Sequence, residues 1–357
     1  MESLFKEEFI LKSIPDFPRT RYQGSKYKLL YWIWENISFL DFDNVADLFG
    51  GTASVSYLFK TQGKSVIYND LLKSNYFTGL AFIENDKILI NDHDINNVLQ
   101  NNSNSEQNII SRNFQGIYFN DEENLWLDKV VQNIHLFYQG NVYKKALLLW
   151  AIFQACIIKR PFNLFHRKNL YMRTNDVKRS FGNKTTWDKP FEYYFIKFLA
   201  EANNAVFDNG RLCKAYNQDA VEFDNTFDLV YIDTPYISQK GVGVDYYHFY
   251  HFLEGIADYF TWEERIDFTR KHNPLLPRQN RWVDKNRILQ AFNELIEHYK
   301  KSHIVISYRS DGIPAVEELI RILKKFKKNY KLIVFKNYKY VLSKNNNSDE
   351  ILLIGWD

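Results

Sequence analysis

The sequence predicts an α/β fold built on a mostly parallel sheet, and three observations carry that prediction. Short apolar runs of strand length alternate with stretches whose apolar residues recur at helical spacing. The first of those runs ends in paired glycines that lead straight into a helix, and two later ones end in a carboxylate. A strand, glycine turn, helix, strand order of this kind builds parallel sheets.

Taken in order, "RYQGSKYKLLYWIWENI" (21–37) is a loop opening a helix, because Leu29, Leu30, Ile33, Trp34 and Ile37 fall on one face. "NVADLF" (44–49) reads as a buried strand, "GGTAS" as a tight turn and "VSYLFK" as the start of a helix. "KSVIYND" (64–70) is the second strand. The pattern then decays into an asparagine-rich polar segment at 91–108, expected as a loop or surface insert, before a buried or amphipathic helix at 144–159. Strands resume at 209–220, 227–233 and 302–312. A terminal pair around "KNNN" reads as an antiparallel hairpin closing the sheet. Residues 1–75 and 205–357 thus form one α/β domain, interrupted by an inserted, largely helical domain at 76–204.

At 357 residues, 45% apolar and 25% charged, the chain has the composition of a soluble globular protein. A net charge of +3 is too small to name a partner, so partners must be sought in local clusters. Cys156 and Cys213 offer neither metal-ligand spacing nor a disulfide framework, which fits a reducing compartment. His248 and His251 stand three apart without a further ligand set, so no metal is expected. The N-terminus lacks the order of a signal peptide, and the longest apolar run, 146–158, is too short to cross a bilayer. A cytoplasmic protein without membrane attachment is the expectation.

The turn Phe49-Gly50-Gly51 can bring backbone amides close to a ligand, and Asp70 at the end of the next strand is placed to accept hydrogen bonds from ribose hydroxyls. The third glycine of a dinucleotide fingerprint is missing, as is the Lys-Ser or Lys-Thr pair of a P-loop. A phosphate-free adenosine ligand remains, of which S-adenosylmethionine is the commonest.

The strand at 227–233 runs into Asp233, Thr234, Pro235 and Tyr236. An exocyclic amine on adenine or cytosine is a poor nucleophile until acceptors aimed at its N–H bonds favour a pyramidal geometry and the positive charge that develops. Asp233 can supply one acceptor and the Thr234 carbonyl the other. Pro235 holds Thr234 extended, and Tyr236 offers a ring face to an extruded base.

In this order, "RYQGSKYKLL", "DLFGGTAS", "VIYND", "YNQDA", "YIDTPY" and "ISYRSDG" resemble the Dam-type class of adenine-N6 DNA methyltransferases, in which a target-recognition domain interrupts a Rossmann-like methyltransferase sheet. The resemblance covers most of both catalytic segments and none of 76–204. It implies that Tyr22 and Lys26 line the methionine end of S-adenosylmethionine and the active site. Phe49, Gly50 and Gly51 would wrap the cofactor, Asp70 would hold its ribose and Asp219 would lie near its adenine. Asp233, Thr234, Pro235 and Tyr236 would take the D-P-P-Y role, with Thr234 departing from the usual proline. It also implies a monomeric enzyme acting on double-stranded DNA, in company with a separate cognate restriction endonuclease. Cytosine N4 suits the same acceptors, and a nucleic-acid-binding protein that keeps the fold without catalysis is the reading from another class. Cytosine C5 chemistry is disfavoured because neither cysteine follows a proline.

The stretch 159–189 holds nine Lys and Arg against two Asp, interleaved with Phe162, Phe165, Tyr171 and Phe181. Arg160, Arg167, Lys168, Arg173, Lys178 and Arg179 are therefore expected to contact DNA, with contributions from Arg278, Arg281 and Arg287.

Overall fold

The computed structural model describes residues 17–18, 20, 22–100, 107–175, 184–223, 226–336 and 348–357. Its centre is a seven-stranded sheet. The strands are β1 (Asn44–Asp47), β2 (Ser65–Asn69), β3 (Lys214–Tyr216), β4 (Leu229–Ile232), β5 (His303–Arg309), β6 (Asn329–Phe335) and β7 (Glu350–Trp356), laid out in the order β3-β2-β1-β4-β5-β7-β6. β1 to β5 are parallel, while β7 runs antiparallel between β5 and β6. The terminal strands are therefore antiparallel to each other, as the sequence predicts. The "KNNN" turn lies outside the described residues.

Period-two burial explains why these runs become central strands. Leu229 and Tyr231 face one apolar layer with Val45 and Val305; Val230 and Ile232 face the other with Ala46, Ile304 and Ile306. The second layer is closed by the helices Ile288–His298 and Val316–Leu323, whose apolar faces pack on the sheet. The first is closed by Leu30–Ile37, Ser54–Thr61 and Lys73–Gly79.

Between β2 and β3 the described residues contain helices and no strand. The helix Val142–Ile158 is buried at every position from Ala146 to Ile158, because helices pack around it on all sides, Asp121–Phe137 and Phe191–Ala205 among them. This helical region shares one continuous apolar core with the first sheet layer. It also takes in residues from between β4 and β5. The helix His251–Ala257 packs on Lys73–Gly79 and Val142–Ile158, and Glu254 accepts the amides of Lys73 (3.1 Å) and Ser74 (2.7 Å). His251, one of the pair singled out in the sequence, is held in this core by the Tyr118 hydroxyl (2.8 Å) and the Phe165 carbonyl (3.0 Å). Among the described residues no helix is long and apolar enough to cross a membrane.

Candidate active site

The chain leaves β1 toward β2 and β3 on one side and returns to β4 on the other, so a crevice opens between β1 and β4 at their carboxyl ends. The glycine turn follows β1. Gly50 donates its amide to the Asn69 carbonyl (2.8 Å), and a Cβ on it would stand 2.1 Å from the Tyr68 ring. Gly51 sits at φ +52°, where a side chain is strained. The Tyr68 hydroxyl shares its one proton between the Gly51 (2.8 Å) and Asn75 (2.9 Å) carbonyls. The turn is thus pressed onto β2 by close packing that only glycine permits.

Two carboxyls flank the turn. Asp70 accepts the amides of Gly51 (2.9 Å) and Leu72 (2.8 Å) and the Asn75 side chain (3.1 Å), so it holds the loop as well as facing the crevice. Burial pushes it up to about 6, against those hydrogen bonds. Asp47 accepts the Ser56 hydroxyl (2.6 Å), while its Oδ1 is buried without a hydrogen-bond partner. Burial pushes Asp47 up to about 7.

The Asp233-Tyr236 turn follows β4 and faces the glycine turn across the crevice. Asp233 Oδ1 accepts from the Lys26 ammonium (2.6 Å) and the Tyr236 hydroxyl (3.0 Å). Asp233 Oδ2 accepts no hydrogen bond from the described residues. Burial raises Asp233 to about 6; the Lys26 charge pulls it down and Glu350 pushes it up. Lys26 also bonds the Tyr236 hydroxyl and lies 4.8 Å from the ring centre. That is nearly the sum of the ring-to-oxygen and hydrogen-bond lengths, so the ammonium meets Tyr236 end-on and does not cover its ring face. Thr234 is buried, and its hydroxyl has no hydrogen-bond partner.

A crevice with a closely packed glycine turn on one wall and a half-free carboxylate on the other suits transfer to an amine. The family model for D12 class N6 adenine-specific DNA methyltransferases matches residues 22–310. The chain belongs to this D12 class. It is 32% identical over 317 residues to Type II methyltransferase M2.HphI of Haemophilus parahaemolyticus, covering 87% of this chain and 88% of that protein. It is 24% identical to Type II methyltransferase M.NlaIII of Neisseria lactamica over 91% of this chain and 94% of the relative. Modification methylase StsI of Streptococcus sanguinis is 27% identical over 86% of this chain, which spans only 46% of that longer protein. The protein is thus a site-specific adenine DNA methyltransferase.

In this D12 methyltransferase, Tyr22, Lys26, Phe49, Gly50, Gly51, Asp70 and Asp233 to Tyr236 line one cleft of about 1140 Å³, its open mouth included. Tyr22 stacks on Tyr250, ring centres 4.0 Å apart. Asp219 does not reach the cleft wall; it pairs with Arg281 at 2.9 Å. Sequence reasoning missed Asp47 and Glu350. Asp47 directly precedes Leu48-Phe49-Gly50, and Glu350 is an acid heading an otherwise apolar strand; each was readable as an acid with no solvent-facing position.

The basic stretch divides. Arg160 and Arg173 are buried, which corrects the expectation that both meet DNA as a surface run. Arg160 donates to the carbonyls of Leu164 (3.2 Å), Tyr118 (3.3 Å) and Arg167 (3.2 Å), with its guanidinium 4.4 Å from the Tyr118 ring centre. Arg173 (2.6 Å) and Lys159 (2.8 Å) both pair with Glu123, an acid far upstream in the chain. These cations satisfy buried carbonyls and a half-buried carboxylate instead of phosphates. Arg167 and Lys168 are exposed. Lys178 and Arg179 lie outside the described residues. Arg278 is exposed at the cleft mouth against the Tyr247 ring (4.4 Å), and Arg281 is held by Asp219 and Glu294 (2.8 Å). Arg287 is exposed, its guanidinium 3.5 Å from the Gln279 side-chain oxygen.

Proposed function

We propose that this methyltransferase moves a methyl group from S-adenosylmethionine to N6 of an adenine extruded from duplex DNA, as the modification enzyme of a restriction-modification system. The observation that carries the reading is Asp233, one oxygen held by Lys26 and Tyr236 and the other open to the cleft.

The cleft suits the cofactor. Asp47 Oδ1 is an unpartnered buried acceptor that an amino-acid ammonium would satisfy. Asp70 keeps one lone-pair site for a ribose hydroxyl beyond those used by Gly51, Leu72 and Asn75, and Phe49 with Trp282 (4.8 Å, 79°) forms an aromatic corner for an adenine. When bound, the cofactor supplies a methyl group on a sulfonium. The chain does the rest. Asp233 Oδ2 and the Thr234 carbonyl accept the two N–H bonds of the target amine, directing its lone pair toward the glycine turn. Tyr236 offers its ring to the base, worth ~1–3 kcal/mol by comparison with other base–aromatic stacks. Extrusion is required because N6 inside a duplex is paired and out of reach. Arg167, Lys168 and Arg278 neutralise phosphates around the cleft mouth, and the helical region at 76–204 recognises the target sequence.

The restriction-modification setting is supported by the relatives' names, which include a modification methylase. Incubation with methyl-labelled S-adenosylmethionine and DNA, followed by nucleoside digestion, should place the label in N6-methyladenine. Label in N4-methylcytosine would redirect the reading to the other exocyclic amine. Bound donor with no label transferred would leave a DNA-binding protein.

A further inference from the structure

Glu350 has no part in the chemistry above and lies beyond the span matched by the family model. It heads β7 and is wholly buried. Its Oε1 accepts the Ser307 hydroxyl (2.7 Å), shares with Asp233 the single proton of the Tyr236 hydroxyl (3.0 Å to each) and stands 3.3 Å from the Lys26 ammonium. A carboxylate buried this deeply is costly unless its partners need it. Two of those partners, Lys26 and Tyr236, also hold Asp233. One ammonium therefore serves two carboxylates, Asp233 at 2.6 Å and Glu350 at 3.3 Å.

The arrangement has a chemical consequence. Were Lys26 paired with Asp233 alone, its full charge would compensate that carboxylate and weaken it as an acceptor for the target amine. A second carboxylate on the far side draws part of that charge away and fixes where the ammonium and the Tyr236 hydroxyl stand. We propose that Glu350 is a positioning residue which, through Lys26 and Tyr236, orients Asp233 and keeps its outward oxygen a strong acceptor. The proposal rests on the reading of Asp233 as the amine acceptor.

The groups that act on Asp233 come from several elements: Lys26 before the first helix, Tyr236 in the turn, Tyr231 on β4, Asp47 on β1 and Glu350 on β7. Among them Glu350 pushes the Asp233 carboxyl up. Glu350→Gln keeps shape and acceptor but removes the charge, so Asp233 should ionise more readily. The expected result is a kcat at least about tenfold lower, donor and DNA affinities within about threefold, and an acid limb of kcat/KM moved to lower pH. A purely structural glutamate would not move that limb. In a Lys26→Gln background the same change should cost no more than about threefold further, because the shared ammonium is gone.

An unchanged kcat with an unmoved acid limb, or losses that multiply in full in the double variant, overturns the proposal. Should Glu350→Gln lack a cooperative melt, Ser307→Ala, which removes the 2.7 Å bond to Glu350, must lower kcat while sparing donor affinity; a normal kcat there overturns it equally. A wild-type protein that makes no N6-methyladenine defeats the proposed function. An active wild type indistinguishable from its Glu350 variants defeats only this inference.

Discussion

Asp233 carries its burden through two oxygens in different surroundings. The inner one is fixed by Lys26 and Tyr236, and the outer one faces the cleft. As the proposed amine acceptor Asp233 must be ionised, and burial raises this carboxyl to about 6. Activity should therefore be full above that pH and fall as pH drops through it, so a kcat/KM profile measured from pH 5 to 8.5 should show one acid limb near 6. A limb near 4 would mean that Asp233 is not the group titrating. In the proposed mechanism the neighbouring Thr234 contributes its carbonyl and not its hydroxyl, which is buried and unpartnered. Thr234→Val should leave turnover within about twofold and, by removing an unsatisfied hydroxyl, stabilise the fold by up to ~1 kcal/mol in thermal or urea unfolding. A large loss of kcat would show that the hydroxyl is used.

At the scale of elements, the glycine turn is the most constrained piece of the site. Gly50 cannot take a Cβ without driving into Tyr68, and Tyr68 is itself locked by hydrogen bonds to Gly51 and Asn75. Gly50→Ala must shift either the turn or β2. Donor affinity should fall at least about tenfold and stability by ~1–3 kcal/mol, read by isothermal titration and by melting. The turn was legible beforehand because glycine pairs after a strand have few other uses. What was not legible is that Asp70 also ties the turn, since a carboxylate at a strand end looks alike whether it faces ligand or amide. The terminal strands were likewise readable as an antiparallel pair from their apolar runs. Insertion of β7 between β5 and β6 followed from burial on both faces, in contrast to the exposed face of β6.

Across the whole molecule, the helical region and the sheet share one core, and the basic stretch shows what that does to charge. Arg173 belongs to the fold through Glu123, while Arg167 and Lys168 remain in solvent. Arg173→Ala should lower the melting temperature by several degrees, because it removes one of the two cations that hold the half-buried Glu123 and a donor to the Tyr118 carbonyl. The pair Arg167→Ala and Lys168→Ala should leave melting unchanged, weaken DNA binding and reduce its salt slope by about 1–2, measured by anisotropy at several salt concentrations. The reverse outcome would place the phosphate contacts elsewhere.

Strand pattern, glycine turn and the Asp233-Tyr236 sequence are local, so the sequence by itself determined the α/β class, the cleft's two walls and the type of reaction. Which cations are buried, where Asp219 points, and that Glu350 stands behind Lys26 were decided only by the tertiary structure. Each depends on a partner far away in the chain, and charge is assigned to core or surface by what the fold brings within a few ångströms of it.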